Sequence, residues 1–273
     1  MNASRPSTHD KTPSSDEATA WALVKEGSIL CREVKPPIKD FEYYDMDIKW
    51  FRLEKLEKAI VLFDEVIRRF DNDDLSEEIR TSVAEALVKK GEALLELGEW
   101  AWAYDPDLEF NPRREEVLAL YDEVVQRFGN DNSPDAREQA ATALFNKCNI
   151  LYDQGKHKEA NATFDEVVQR FGNDNDPPFL RLRVAESLLV KGFSLWKQGE
   201  NKEAIATFDE VVQRFGNDHF LNVVGCVVKA LDRKGDILEE QGKHKKAKAV
   251  QDEVQRHLQK VYSHLPKARQ KRE

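Results

Sequence analysis

The sequence predicts an all-α protein, a solenoid of about five helix-turn-helix units with two insertions near the N-terminus. Three observations predict it: a repeated phrase, a partner helix before each copy, and glycines at fixed places between them. The phrase is FDEVVQRFGND at residues 164–174, and it returns letter for letter at 208–218. Residues 121–131 differ only in starting with Tyr121; residues 63–71 (FDEVIRRFD) and 251–254 (QDEV) are weaker copies. From Tyr121 the copies start 43, 44 and 43 residues apart. A period of that size marks stacked supersecondary units.

Phe164, Val167, Val168 and Phe171 fall at i, i+3, i+4 and i+7, so they line one face of a helix. Glu166 and Arg170 form an i, i+4 pair in the favourable order. Gly172 follows the last apolar residue, which predicts a left-handed residue closing the helix. The recurring Asp-Glu pair could suggest acid–base chemistry. Its presence in copy after copy instead marks a solvated helix face.

In chain order, residues 1–15 are polar and carry Pro6 and Pro13, so they read as a disordered tail without a secretory signal. The first unit, about 16–72, opens with ALVKEGSIL at 22–30, with Gly27 inside the helix. An insertion of about 20 residues follows, holding Pro36, Pro37, Phe41, Tyr43, Tyr44, Trp50 and Phe51. The second unit, about 78–130, has Gly91 in its first helix. It then carries an insertion of about 14 residues with Trp100, Trp102, Tyr104 and Pro106. The third (134–173), fourth (179–217) and fifth (219–262) units are uninterrupted. Their small residues are Cys148, Gly192 and Gly235. Glycine inside a helix costs about 1 kcal/mol against Ala, so its recurrence predicts a neighbouring helix passing too close for a larger side chain. A second glycine, at Gly98, Gly155, Gly199 and Gly242, is expected to end each first helix. In the fifth unit Gln251 replaces the aromatic, and Lys245, Lys246 and Lys248 make the helix polar, as a cap requires. Residues 263–273 form a basic tail.

With 273 residues, 40% of them hydrophobic, the chain can bury a sizeable core. A net charge of −9 argues against a general nucleic-acid or anionic-membrane binder. Cys31, Cys148 and Cys226 are odd in number, far apart and without a CxxC pair. They fit a reducing, cytoplasmic setting with no zinc site and no disulfide framework. No apolar run approaches a membrane span, and no HExxH, phosphate loop or nucleophile elbow occurs. The expectation is a non-enzymatic protein without cofactor or metal.

Gly192, Gly199, Ala204 and Phe208 place a small residue, a turn glycine, an early alanine and an aromatic in an order that resembles a tetratricopeptide repeat. Gly27, Leu30, Ala59 and Phe63 match it across the first insertion. The usual period is about 34 residues. The longer period here is similar to the long-repeat variety seen in kinesin light chains. Departures are Cys148 for Gly, Gln251 for Phe, and Gly172 or Gly216 where many such repeats have Pro. The resemblance covers about residues 16–262. It implies a right-handed α-solenoid acting as a protein- or peptide-binding adaptor. A peptide-responsive sensor whose solenoid changes shape is the alternative.

Two surfaces are candidates for binding. Trp and Tyr are enriched in binding hot spots, which singles out Tyr43, Tyr44, Trp50, Trp100, Trp102 and Tyr104 in the insertions. Both insertions interrupt the same turn of consecutive units and are expected side by side; the other reading is that they cover the first repeats. In the repeats that the chain resembles, first helices line a peptide groove. The matching positions are Val88, Glu92 and Leu95; Phe145, Asn149 and Tyr152; Leu189, Phe193 and Trp196; and Lys229, Asp232, Arg233 and Asp236. An aromatic floor with a charged end suits an amphipathic peptide. The alternative is that longer repeats bury these side chains. Some family members clamp a chain terminus with Lys, Asn and Arg. Asn149, Lys229 and Arg233 match that pattern, whereas Phe145 and Val190 break it. Lys90, Lys147, Lys191 and Lys234 recur just before the small residue and are expected to pair with neighbouring acids.

Overall fold

The computed structural model describes residues 13–33, 46–70, 75–104, 111–173 and 176–264, with the backbone alone at 46–50, 100–104 and 260–264. The described residues are all-α, in antiparallel helix-turn-helix pairs. The chain divides into two compact units, Met1–Val124 and Val125–Glu273. The first unit holds α1 (Ser15–Arg32), α2 (Met46–Arg69), α3 (Glu77–Tyr104) and most of α4 (Arg114–Phe128). The second holds the end of α4, then α5 (Pro134–Asp153), α6 (His157–Phe171), α7 (Pro178–Lys197), α8 (Asn201–Phe215), α9 (Leu221–Glu240) and α10 (His244–His264). No described helix is long and apolar enough to cross a membrane.

Local chemistry sets the helix ends. Ser14 and Glu17 form a capping box: Glu17 N–H donates to Ser14 Oγ (3.2 Å) and Ser14 N–H to Glu17 Oε2 (2.7 Å). Helix α1 therefore begins at Ser15, the last residue expected in the tail. Ser133 caps α5 ahead of Pro134. Gly155, Gly199 and Gly242 have φ of 72°, 79° and 69°. Each closes a first helix, and the next residue's N–H reaches back five positions: Lys156 to Leu151 O, Glu200 to Leu195 O, Lys243 to Leu238 O.

Gly98 does not share that role. Helix α3 runs through it to Tyr104, giving 28 residues where α5, α7 and α9 have 20. Beside it lies Asn111, which is buried and donates from Nδ2 to Leu95 O (2.8 Å). A Cβ on Gly98 would lie 2.6 Å from Asn111 Cγ, so this glycine admits a neighbouring side chain rather than a turn. Helix α2 is lengthened likewise, with 24 residues against 15 in α4, α6 and α8. Part of each stretch read as an insertion is thus helix. Trp50 falls on α2, and Trp100, Trp102 and Tyr104 fall on α3. Leu53 and Leu56 of α2 join Ala93 and Leu97 of α3 and Cys31 of α1 in one apolar cluster leading to those added turns.

The core follows the repeat. Phe63, Tyr121, Phe164 and Phe208 are fully buried, each worth about 1.5–3 kcal/mol of burial. They sit against the small residues of the first helices. A Cβ on Gly27 would be 2.6 Å from Phe63 Cε1, and one on Gly91 2.7 Å from Tyr121 Cε1; Gly192 meets Phe208 still more closely. Cys148 takes that position beside Phe164. Gly235 is the exception. With Gln251 in place of the aromatic, the nearest atom to a Cβ there is Val250 Cγ1 at 3.9 Å.

Gly172 and Gly216 are not left-handed: their φ values are −94° and −61°. Gly172 instead makes room for an arginine, since a Cβ would lie 2.5 Å from Arg214 Nη2. That guanidinium donates to Gly172 O (2.6 Å) and pairs with Glu210. Arg170 reaches back in the same way to Val125 O (3.3 Å). The aspartates that follow complete the clasp. Arg137 of α5 pairs with Asp176 (3.3 Å), and Arg181 of α7 pairs with Asp218 (2.7 Å). The phrase therefore ties each pair of the second unit to the next. The recurring lysines do the same between helices: Lys90 with Asp64 (2.6 Å), Lys191 with Asp165 (2.5 Å) and Lys234 with Asp209 (2.5 Å).

Candidate functional site

In the second unit, successive first helices pack on one another, α5 on α7 and α7 on α9, while α6 and α8 each lie between two of them. The groove positions expected from the sequence fall on these first helices, several of them packed against α6 or α8. On α5 these are Phe145, Asn149 and Tyr152, all half-buried. Phe145 and Tyr152 rest on the cluster of Cys148, Leu151, Ala160 and Phe164, and the Tyr152 ring meets His157 tilted by 57° at 5.0 Å. On α7, Phe193 and Trp196 are half-buried, whereas Leu189 is only 7% exposed and forms the floor. Phe193 meets Phe208 edge-on at 5.9 Å, which fixes its ring over the core. In the first unit Val88 is buried outright, so it presents nothing to a ligand.

Three contacts knit the surface. Arg233 of α9 lies 5.6 Å from the Phe193 ring and pairs with Asp236 (2.5 Å). Trp196 Nε1–H of α7 donates to Glu240 Oε2 of α9 (3.2 Å). Arg183 of α7 lies 6.0 Å from the Phe145 ring and donates from Nε to Thr142 Oγ1 of α5 (3.1 Å), while pairing with Glu186 (2.8 Å). Arg233 and Glu240 thus tie α9 to Phe193 and Trp196 of α7, and Arg183 ties α7 to α5 beside Phe145. Lys229 and Asp232 are exposed at the α9 edge. Burial raises the Asp232 carboxyl, with Arg233 lowering it and Asp236 raising it.

Sequence reasoning missed Arg183, Glu186 and Glu240. Glu240 lies one turn beyond Asp236 on the same helix, so extending the spacing by four residues finds it. Arg183 needed three dimensions, because its partners are on α5. Tyr43 and Tyr44 lie outside the described residues, as do the side chains of Trp50, Trp100, Trp102 and Tyr104.

The arrangement can grip an extended or helical segment. It offers half-buried rings, a buried apolar floor and a charged rim, without a nucleophile set against a base. The three thiols are free. Burial pushes Cys31 and Cys226 up to about 11 and Cys148 higher still, so none is a ready thiolate. Among the described residues no group of three or more His, Cys, Asp or Glu could hold a metal ion.

A tetratricopeptide repeat family model matches residues 145–219, and a second tetratricopeptide repeat model matches residues 228–256. Tetratricopeptide repeats are therefore present over part of the chain, and the matched stretches contain most of the surface just described. No curated protein matches the chain.

Proposed function

We propose that this protein is a non-catalytic adaptor that binds a protein or peptide partner on the first-helix face of its second unit. Such repeats generally mediate protein–protein interactions. The carrying observation is a set of half-buried aromatics, Phe145, Phe193 and Trp196, each tied to the next first helix through Arg183, Arg233 or Glu240. Half-buried aromatics beside a guanidinium are the composition of interface hot spots. The partner segment on this reading is amphipathic, with apolar side chains over Phe193 and charges against the α9 edge. The insertion aromatics would be a second contact of the same adaptor. About five long repeats of the kinesin light chain kind, in the cytoplasm, complete the reading.

Affinity capture with mass spectrometry, run side by side on the native protein and Trp196→Ala, tests it. A partner kept by the first and lost by the second, with both melting alike, is the expected result. With the recovered partner, Trp196→Ala weakens binding about thirtyfold, the effect of losing roughly 2 kcal/mol at an anchor. Equal retention by both proteins overturns the assignment.

A further inference from the structure

The outward side of α1 carries the pattern that later first helices bury. Placing Gly27 over Gly91, Gly192 and Gly235 sets Ala22 over Ala86, Ser187 and Ala230, all fully buried. Ile29 falls over Ala93, Ser194 and Ile237, which are also buried. In α3, α7 and α9, the preceding helices α1, α5 and α7 and second helices α2, α6 and α8 pack on these first helices. On α1, Ala22 is exposed and Ile29 is 44% exposed, with Ala18 and Trp21 exposed beside them.

Charge distinguishes this face from its counterparts. Lys90, Lys191 and Lys234 each reach an aspartate on the preceding second helix. The equivalent residue of α1 is Glu26, exposed and without an ion pair among the described residues. A helix seated here meets Glu26, beside Lys25 over the Trp21 ring, where the chain's own second helices meet a lysine.

We propose that α1 is a docking face for an amphipathic helix of a partner protein, one that lays apolar side chains on Ala22 and Ile29 and sets a Lys or Arg against Glu26. A second copy of this chain is a poor occupant. Its last second helix, α10, aligns Asp252 with Asp209 and would bring that acid to Glu26. It also has exposed Lys248 and Gln255 where α8 has Ile205 and Val212. The proposal is independent of the α5–α7–α9 surface.

The probe is a labelled peptide copying residues 200–217 with Asp209→Lys, titrated against the full chain by fluorescence anisotropy. Binding that falls at least tenfold on Glu26→Lys and is abolished by Ile29→Asp supports the face. The unaltered peptide, carrying Asp209, is expected to prefer the Glu26→Lys protein. Both positions are exposed, so neither variant threatens folding, and matched melting curves verify that. Absence of binding, or binding indifferent to both substitutions, overturns the proposal. Sedimentation reads the second copy as occupant: self-association lost on Ile29→Asp would sink the foreign helix. A tenfold or greater gain in peptide affinity on removal of residues 1–12 would assign the face to the chain's own N-terminus and sink it equally.

Discussion

Two glycines at equivalent positions have opposite energetics. A Cβ on Gly192 would collide with the Phe208 ring, which Phe193 already holds from the side. Gly192→Ala is expected to cost about 1–3 kcal/mol through overpacking. At Gly235 the nearest atom is 3.9 Å away, so Gly235→Ala is expected to stabilise by up to about 1 kcal/mol through helix propensity. Urea unfolding of the two variants measures the contrast; equal effects would show that ring contact does not decide it. Glu96 supplies the pH dependence. Burial, reinforced by Glu99 and opposed by Arg52, pushes its carboxyl up to about 7. A carboxyl raised on folding contributes stability that is fully present below its unfolded value and lost as pH rises through the folded one. Stability of the first unit should thus decline between about pH 5 and 8. Glu96→Gln should flatten that decline and gain about 1 kcal/mol at pH 8, a figure discounted for solvent screening. Melting temperatures across that range that fall alike in both proteins would refute it.

Pairs of helices are joined by the clasp, and its strongest member can be cut. Asp218 is buried, which works against its charge. The Arg181 bonds, with the backbone N–H groups of Phe220 and His219, outweigh that and hold its carboxyl below the usual range. A depressed carboxyl adds stability above its unfolded pKa, and that stability is lost as pH falls through the folded one. Asp218→Ala is expected to cost about 2 kcal/mol, the scale of a charge-assisted hydrogen bond. Solenoid stability is dominated by nearest neighbours, so faster hydrogen exchange should centre on α7 to α9 and leave α1 to α3 unchanged. Uniform acceleration throughout would contradict the clasp. The lengthened α3 has its own fastener in Asn111, whose bond to Leu95 O holds the chain returning into α4.

Across the molecule, the termini behave differently. The final helix α10 exposes Lys245, Lys246, Lys248, Gln251 and Gln255, and buries only Ala247, Val250 and Val254 among its described side chains. Deleting residues 219–273 should uncover Ile205, Val212 and Asp209 of α8 and cause concentration-dependent association. A truncated protein that sediments as a monomer with undiminished thermal stability would show that α9 and α10 are no cap. In the first unit, α1 packs on α2 and α3, and its Ala22 and Ile29 remain exposed.

Helix type, pairing and period were determined by the sequence alone, because the 3.6-residue spacing of Phe164, Val167, Val168 and Phe171 and the turn glycines are local properties. That Phe145, Phe193 and Trp196 sit on first helices was legible for the same reason: the helical period places them there. Whether a given residue was exposed was not, since burial of Val88 and Leu189 depends on which helices pack on theirs. Tertiary structure also decided what each glycine is for. Gly98 looked like a helix stop in the chain but lies inside α3, where it leaves clearance for Asn111, 13 residues away; Gly172 does end α6 and also leaves clearance for Arg214, 42 residues away. Such contacts leave no periodic trace, because the partner is fixed by packing and not by spacing.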